Sequence, residues 1–252
     1  MQRIGIIGGS GLDDPDILAD AKDQTVNTPF GRPSSPLRHG TIADTDVVLL
    51  ARHGRGHTIP PSQVNYRANI WALHDAGCEA VLATTAVGSL REEIGRGDLV
   101  ILDQFIDFTR RREVTFHTYF RPGEPIHAPM AEPFSHELRQ LLIENAEKLE
   151  LSYHPRGTVV TIEGPRFSTK AESHMFRAWG ADVINMSIAP EVILANELGV
   201  PYAAVAMSTD YDCWKEDEEP VSWEAVLEVF AHNAERVTGL LRSVLATLAT
   251  ES

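Results

Sequence analysis

Short apolar runs, each closed by glycine, a hydroxyl residue or a charge, recur along the chain and predict buried β-strands. The first, over 3–7, leads into Gly8-Gly9-Ser10-Gly11, and the second, over 47–51, ends in Arg52-His53-Gly54-Arg55-Gly56-His57. A third, over 79–86, turns small and polar at its end, and further runs fall over 98–105, 157–162, 183–187 and 202–207. Between them the apolar spacing becomes helical. A helix capped by Ser62 is predicted through about His74, stopped at Gly77. Leu138, Leu142, Ala146 and Leu149 mark a helix from about Ser135, and Met175, Phe176 and Trp179 sit on another. Pro190 belongs in the first turn of the next, where its missing N–H costs nothing. A long last helix starts near Ser222, with Val226, Phe230, Val237, Leu241 and Leu248 as its apolar stripe. Only 107–133 lacks a period, being rich in aromatic, basic and proline residues. A loop of that length is expected to be functional or to lie at a subunit contact. Strands and helices alternate without repeats or flexible linkers, which predicts one α/β domain over 1–252.

Composition narrows what such a domain handles. A formal net charge of −14 over 252 residues argues against wrapping a phosphate backbone, so no nucleic-acid partner is expected. No apolar run approaches the ~20 residues that a membrane span needs. The first strand follows Met1 almost at once, so no targeting leader is expected. Two cysteines, Cys78 and Cys213, are too few for a disulfide framework and are not spaced for structural zinc. A reducing, cytoplasmic compartment is the expectation.

The candidate chemistry lies at the strand ends, where open α/β sheets hold ligands. The run over 202–207 is followed by Thr209-Asp210-Tyr211-Asp212-Cys213-Trp214. Two carboxylates two residues apart at a strand end face the same side and suit the polar edge of a ring. A solvated acidic loop is the alternative, because Lys215-Glu216-Asp217-Glu218-Glu219 follows. Gly8-Gly9-Ser10-Gly11 offers backbone N–H groups to a small anion, or forms a tight turn. It lacks the third glycine of a dinucleotide fingerprint. Arg52 supplies a planar fork for phosphate oxygens with His53 beside it. Reading His53 and His57 as metal ligands requires a helix that Gly54 and Gly56 disfavour, and no metal is expected. Thr85, the Ala86 backbone and Ser187 add neutral donors at two other strand ends.

Taken in order, these segments resemble the trimeric purine nucleoside phosphorylase family. The resemblance rests on Gly8-Gly9-Ser10-Gly11-Leu12, Ala51-Arg52-His53-Gly54-Arg55, Val64-Asn65-Tyr66-Arg67-Ala68-Asn69 and Thr84-Thr85-Ala86-Val87-Gly88-Ser89-Leu90. It continues through Met130-Ala131-Glu132-Pro133-Phe134, Glu163-Gly164-Pro165-Arg166-Phe167, Asn185-Met186 and the segment from Thr209 to Trp214. The resemblance implies a single α/β domain whose central, mixed, partly barrel-like sheet is flanked by helices. It implies phosphorolysis of 5′-methylthioadenosine to adenine and 5-methylthioribose 1-phosphate, with adenosine, 5′-deoxyadenosine, inosine or methylthioinosine as alternative substrates. Asp210 is then the catalytic acid at the purine N7, and Asp212 accepts from the 6-amino group. Phosphate is implied on Ser10, Arg52, His53, Thr85, Ala86 and Ser187, Met186 at the ribose, and Phe167 on the purine face. His57, Trp223 and Val226 surround the 5′ group, with His127 reaching in from a neighbouring subunit of a homotrimer. Phosphate is a co-substrate, and no cofactor is implied. Two departures stand out: Ser187 where such enzymes commonly carry threonine, and Trp223 where a small aliphatic residue is common.

Overall fold

The computed structural model describes residues 3–8, 17–217 and 223–251. It begins with β1 (Arg3–Gly8), β2 (Ala19–Gln24), β3 (Leu37–Ile42), β4 (Thr45–Ala51) and α1 (Tyr66–Asp75). Then come β5 (Ala80–Ser89), β6 (Leu99–Ile101), β7 (Gln104–Phe108), α2 (His136–Lys148), β8 (Tyr153–His154) and β9 (Thr158–Ile162). The chain closes with α3 (Lys170–Ala178), β10 (Val183–Asn185), α4 (Ile188–Glu197), β11 (Tyr202–Asp210) and α5 (Trp223–Glu251). A mixed sheet with helices packed on it is the architecture expected from the sequence.

Its organising strand is β5. The first half of β5 runs parallel to β1, with Ile4 opposite Ala80 and Ile7 opposite Ala83. β11 runs parallel along nearly its full length, from Tyr202 opposite Val81 to Asp210 opposite Gly88, with a register shift between Ser208 and Asp210. At its far end β5 pairs with β10 antiparallel, Val183 opposite Ser89 and Ile184 opposite Gly88. The sheet therefore forks at β5: one branch continues through β10, β9 and β7, the other through β11, β6 and β8.

The fork explains a correction. The run over 98–105 reads as one strand but forms two, β6 and β7. β6 belongs to the β11 branch and β7 to the β9 branch. At the junction the Leu102 N–H donates to the Ala204 carbonyl, and the next N–H, on Asp103, donates to the Gly157 carbonyl. No apolar pattern encodes that change of neighbour.

Other differences are local. Asn65, not Ser62, caps α1, its side chain accepting from the Ala68 N–H, while Ser62 lies in a preceding 3-10 turn over Pro61–Gln63. α2 starts at Ser135 as expected, with the Ser135 side chain capping it, but Leu149 ends that helix half-exposed and Asn145 takes its place on the buried stripe. Trp179 is likewise an exposed C-cap residue of α3. β2 and β3 were not predicted: β2 is exposed and polar, and β3 carries Gly40 in a mixed run. They form a hairpin added to the edge of β4, where β2 buries neither face and β3 buries only its two ends, so neither shows the alternation of a half-buried strand. The segment over 109–134 contains only the bridge between Arg121 and Glu124.

The core lies on both faces of the sheet. One cluster packs α1 and α4 against β1, β5 and β11, and includes Ile7, Leu73, Val192 and Tyr202. The other packs α2 and α5 on the opposite face, where Leu142, Val237, Leu241 and Val244 meet Leu82 and Val205. Truncating one such buried leucine costs about 2–5 kcal/mol. Both faces of β5 and β11 are covered, so their ends are held rigidly where chemistry needs them.

Candidate active site

The ends of β4, β5 and β11 and the residues after β10 converge on one cleft of about 450 Å³. That is the size of a small-molecule site. Arg52, His53, His57, Thr85, Ala86, Phe167, Met186, Ser187, Asp210 and Asp212, all candidates from the sequence, line it. Ser10 lies outside the described residues. Trp223 and Val226 fall at the start of α5, but their side chains lie outside what is described. His127 does not line the cleft; it is exposed on the 109–134 segment, packed edge-on to Phe120.

The antiparallel entry of β10 builds the polar end. Its register with β5, carried past Ile184, sets Ser187 opposite Thr85, and their hydroxyl oxygens are 3.4 Å apart. Asn185 donates to the Thr85 hydroxyl at 3.2 Å and accepts from Thr161 at 2.8 Å. Ser187 occupies the N-cap position of α4 without making a side-chain cap. Its hydroxyl is therefore kept for the cleft, beside a helix N-terminus that favours anions.

Arg52 behaves differently from the expectation. It is fully buried, and its fork turns away to Glu191 on α4, Nε to Oε1 at 2.5 Å and Nη2 to Oε2 at 2.9 Å. Nη1 donates to the Thr84 carbonyl at 2.8 Å, and Tyr202 donates to Glu191 at 2.7 Å. Three of the five N–H donors of Arg52 are thus committed within the protein. Glu191 went unread in the sequence, although a carboxylate inside the apolar run of α4 was the available signal.

His53 donates from Nδ1 to the Ile59 carbonyl at 2.9 Å, and its ring stacks on His57 at 4.3 Å. Burial, helped by neighbouring Arg52, pushes its pKa down to about 4. The two histidines sit in a glycine-rich turn with positive φ at Gly54, Gly56 and His57, not on a helix.

The base end is built by β11. Asp210 is its last residue, and Asp212 follows in a turn at φ 47° whose N–H donates to Asp210 Oδ1 at 2.8 Å. The two carboxylates do share one side, but a turn closed by Asp210 itself brings them there, not strand alternation. Burial raises the Asp210 pKa to about 6, against the hydrogen bonds from Thr209 and the Asp212 amide. Ser168 bridges both oxygens of Asp212 at 2.8 Å. Gly88 makes room for the pair, since a Cβ there would stand 2.9 Å from Asp210 Oδ1. Trp214 pins the loop, its indole N–H donating to the Ser89 carbonyl at 2.8 Å beneath the Arg177 guanidinium.

Arg112 was also missed, and only the basic run around it hinted at a role. From the 109–134 segment it donates to the carbonyls of Ile162, Glu163 and Met186 and to the Tyr66 hydroxyl. It thereby ties the ends of β9 and β10 together under Met186. Phe167 lines the cleft but remains 41% exposed, so its face is open to a flat ring.

Fold and site together describe a nucleoside-sized cleft with an anion end and a carboxylate end, and the comparisons place it. The model of the phosphorylase superfamily matches residues 3–246. An S-methyl-5′-thioadenosine phosphorylase of Xenopus tropicalis is 57% identical over 98% of this chain and 89% of its own. One from Drosophila melanogaster is 51% identical over 99% and 87%. Among solved structures, a methylthioadenosine phosphorylase from Schistosoma mansoni in complex with adenine superposes with a TM-score of 0.94 at 45% identity, covering 100% of this chain and 93% of that one. The chain belongs to the phosphorylase superfamily and, within it, to the S-methyl-5′-thioadenosine phosphorylase family.

Proposed function

We propose that the cleft catalyses phosphorolysis of 5′-methylthioadenosine, releasing adenine and 5-methylthioribose 1-phosphate, which makes the protein a pentosyltransferase of purine and methionine salvage. The observation that carries this reading is the gathering of two sets of groups in one cleft: Asp210 and Asp212 together with Thr85, Ser187, Arg52 and His53. The Schistosoma mansoni structures with adenine and with methylthioadenosine, the latter a mutant of the adenosine/methylthioadenosine phosphorylase, support it.

Phosphate at the Thr85 and Ser187 end attacks C1′ as the glycosidic bond opens through an oxocarbenium-like state. The purine leaves with the bonding electrons, and a proton at N7 lowers that barrier. Asp210 supplies it; a pKa near 6 keeps a proton available close to neutral pH. Asp212, held open by Ser168, accepts from the 6-amino group. A 6-oxo purine presents an acceptor there and leaves lone pairs opposed. Met186 borders the ribose and Phe167 the purine face. The 5′ group lies toward His57, and the family resemblance assigns Trp223 and Val226 to the same group. The name of the Schistosoma enzyme favours adenosine as a second substrate.

The active form in this reading is a cytoplasmic homotrimer. Tyr119, Phe120 and Ile126 expose apolar surface on the same segment as His127, which suits a subunit contact that carries His127 to a neighbour's 5′ pocket. Phosphate is the co-substrate, and no cofactor or metal takes part. A panel of 5′-methylthioadenosine, adenosine and inosine, assayed with and without phosphate, tests the whole reading. Adenine release should require phosphate, and equal release without it would mark a hydrolase.

A further inference from the structure

The wall of the cleft that carries Met186 and Phe167 is held from behind. Met186 follows β10, and Phe167 sits in the loop after β9. The two strands pair in parallel only as far as Thr161 opposite Asn185. Beyond that register their backbones meet instead on the side chain of Arg112, which is 2% exposed. Its Nη1 donates to the Met186 carbonyl at 2.5 Å and to the Tyr66 hydroxyl at 3.0 Å. Nη2 donates to the carbonyls of Ile162 and Glu163 at 3.1 and 2.6 Å, and Nε to Glu163 Oε1 at 3.3 Å. All five N–H donors of the guanidinium are thus matched. Glu163 completes the clasp by accepting from the backbone N–H groups of Arg110 and Arg111 at 2.6 and 3.1 Å. Three residues beyond Arg112 the same segment is fixed again, where the Thr115 hydroxyl and the Phe116 N–H donate to Glu197 of α4. The residues beside Met186 have a separate support. Asn185 accepts from Thr161, which accepts from the Ala189 N–H, and neither bond passes through Arg112.

We propose that Arg112 is a positioning residue for the nucleoside: its fork fixes the gap between Met186 and the loop that carries Phe167, and so sets nucleoside affinity independently of phosphate. The proposal rests on the phosphorolytic reading of the cleft and adds to it a residue that is not among those lining the cleft. The geometry calls for an arginine. Its acceptors are spread around one plane, which a rigid fork reaches at once, whereas a lysine ammonium offers three donors from a single point. A displaced carbonyl at Met186 or Glu163 moves the ribose and purine contacts together, and small misplacements of a bound substrate are costly in rate. The Thr161–Asn185 support stays in place, so the hydroxyls of Thr85 and Ser187 keep their arrangement when Arg112 is changed.

The test is steady-state kinetics of the whole protein, with 5′-methylthioadenosine and phosphate varied independently and thermal unfolding followed on the same samples. Arg112→Lys keeps the charge and loses the fork. It should raise the KM for 5′-methylthioadenosine about tenfold or more while the KM for phosphate stays within about twofold of the parent. Tyr66→Phe removes one acceptor of the fork and leaves Arg112 in place, which keeps the proposal testable where the lysine variant does not fold. It should shift the nucleoside KM in the same direction by about two- to tenfold, again without moving that of phosphate. A rise in both KM values alike, or a lowered unfolding temperature with both KM values unchanged in the folded fraction, overturns the proposal and makes Arg112 a structural residue. Either result leaves phosphorolysis standing. A parent protein that releases no adenine, or releases it equally without phosphate, overturns the reading beneath it.

Discussion

The two ends of the cleft handle charge in opposite ways. At the end proposed to take phosphate Arg52 is already spent on Glu191, and the donors beside it among the described residues include the hydroxyls of Thr85 and Ser187 and a helix N-terminus. At the base end two carboxylates stand side by side, stabilised by a serine, a threonine and a backbone amide. An arrangement built only for binding would place charge the other way, with free cations for the anion and no charge for the neutral nucleoside. The difference suits the proposed turnover. An anion held by a naked cation in a buried site is slow to leave as a product ester, whereas in that reaction the departing purine needs a proton where burial has raised a carboxylate's pKa.

Removing the proton donor tests the base end hardest. Asp210→Asn should lower kcat/KM for adenine nucleosides by about 10²–10⁴-fold while leaving the KM for phosphate nearly unchanged. Inosine should suffer less, because an amide both donates and accepts; an equal loss on both substrates would make Asp210 a structural residue. The same variant reads out burial. The folded chain holds the Asp210 proton more tightly than the unfolded chain, with a pKa near 6 against an ordinary 3.8. That stabilisation is complete below the ordinary value and is lost as pH rises through about 6. Asp210→Asn should therefore gain roughly 1–3 kcal/mol over the parent above pH 7, and gain little in acid, by denaturant titration.

At the other end the matching change is Glu191→Gln. It breaks a buried ion pair and should destabilise the protein by about 3–5 kcal/mol. In the fraction that stays folded, Arg52 is uncovered, and phosphate should bind more tightly while kcat falls through slower product release. Weaker phosphate binding in the folded fraction would show that Glu191 serves to position Arg52, not to cancel its charge. Ser168→Ala carries the smallest effect. Losing the bridge to Asp212 should cost about 0.5–1.5 kcal/mol in kcat/KM for adenine nucleosides and narrow the preference over 6-oxo bases, with phosphate kinetics untouched.

How far the site was legible follows the same division. The carboxylate end could be read residue by residue, since Asp210, Asp212, Thr209 and Trp214 lie within one strand end and its turn. The phosphate end could be read only as a set of motifs. Arg52, Thr85 and Ser187 were each recognisable at an apolar run's end, but Glu191, which changes what Arg52 can do, is 139 residues away from it. Ser168, 44 residues from Asp212, and Arg112, 74 from Met186, carry no local pattern that names their partners.

By itself the sequence determined the alternation of strands and helices, Leu138, Leu142 and Ala146 on the buried stripe of α2, Val237, Leu241 and Leu248 on that of α5 (Val226 and Phe230 lie outside the described side chains), and which residue types stand at each strand end. Those depend on side-chain period and on residues near one another in the chain, and both are local quantities. The tertiary structure decided that the run over 98–105 splits between two branches and that β2 and β3 add an edge. It also decided that β10 enters antiparallel so that Ser187 meets Thr85, and that Glu191 neutralises Arg52. Each of these is a choice of neighbour across the sheet. Strand pairing satisfies any backbone equally well, so the choice is made by the packing of the whole core and not by the residues that are paired.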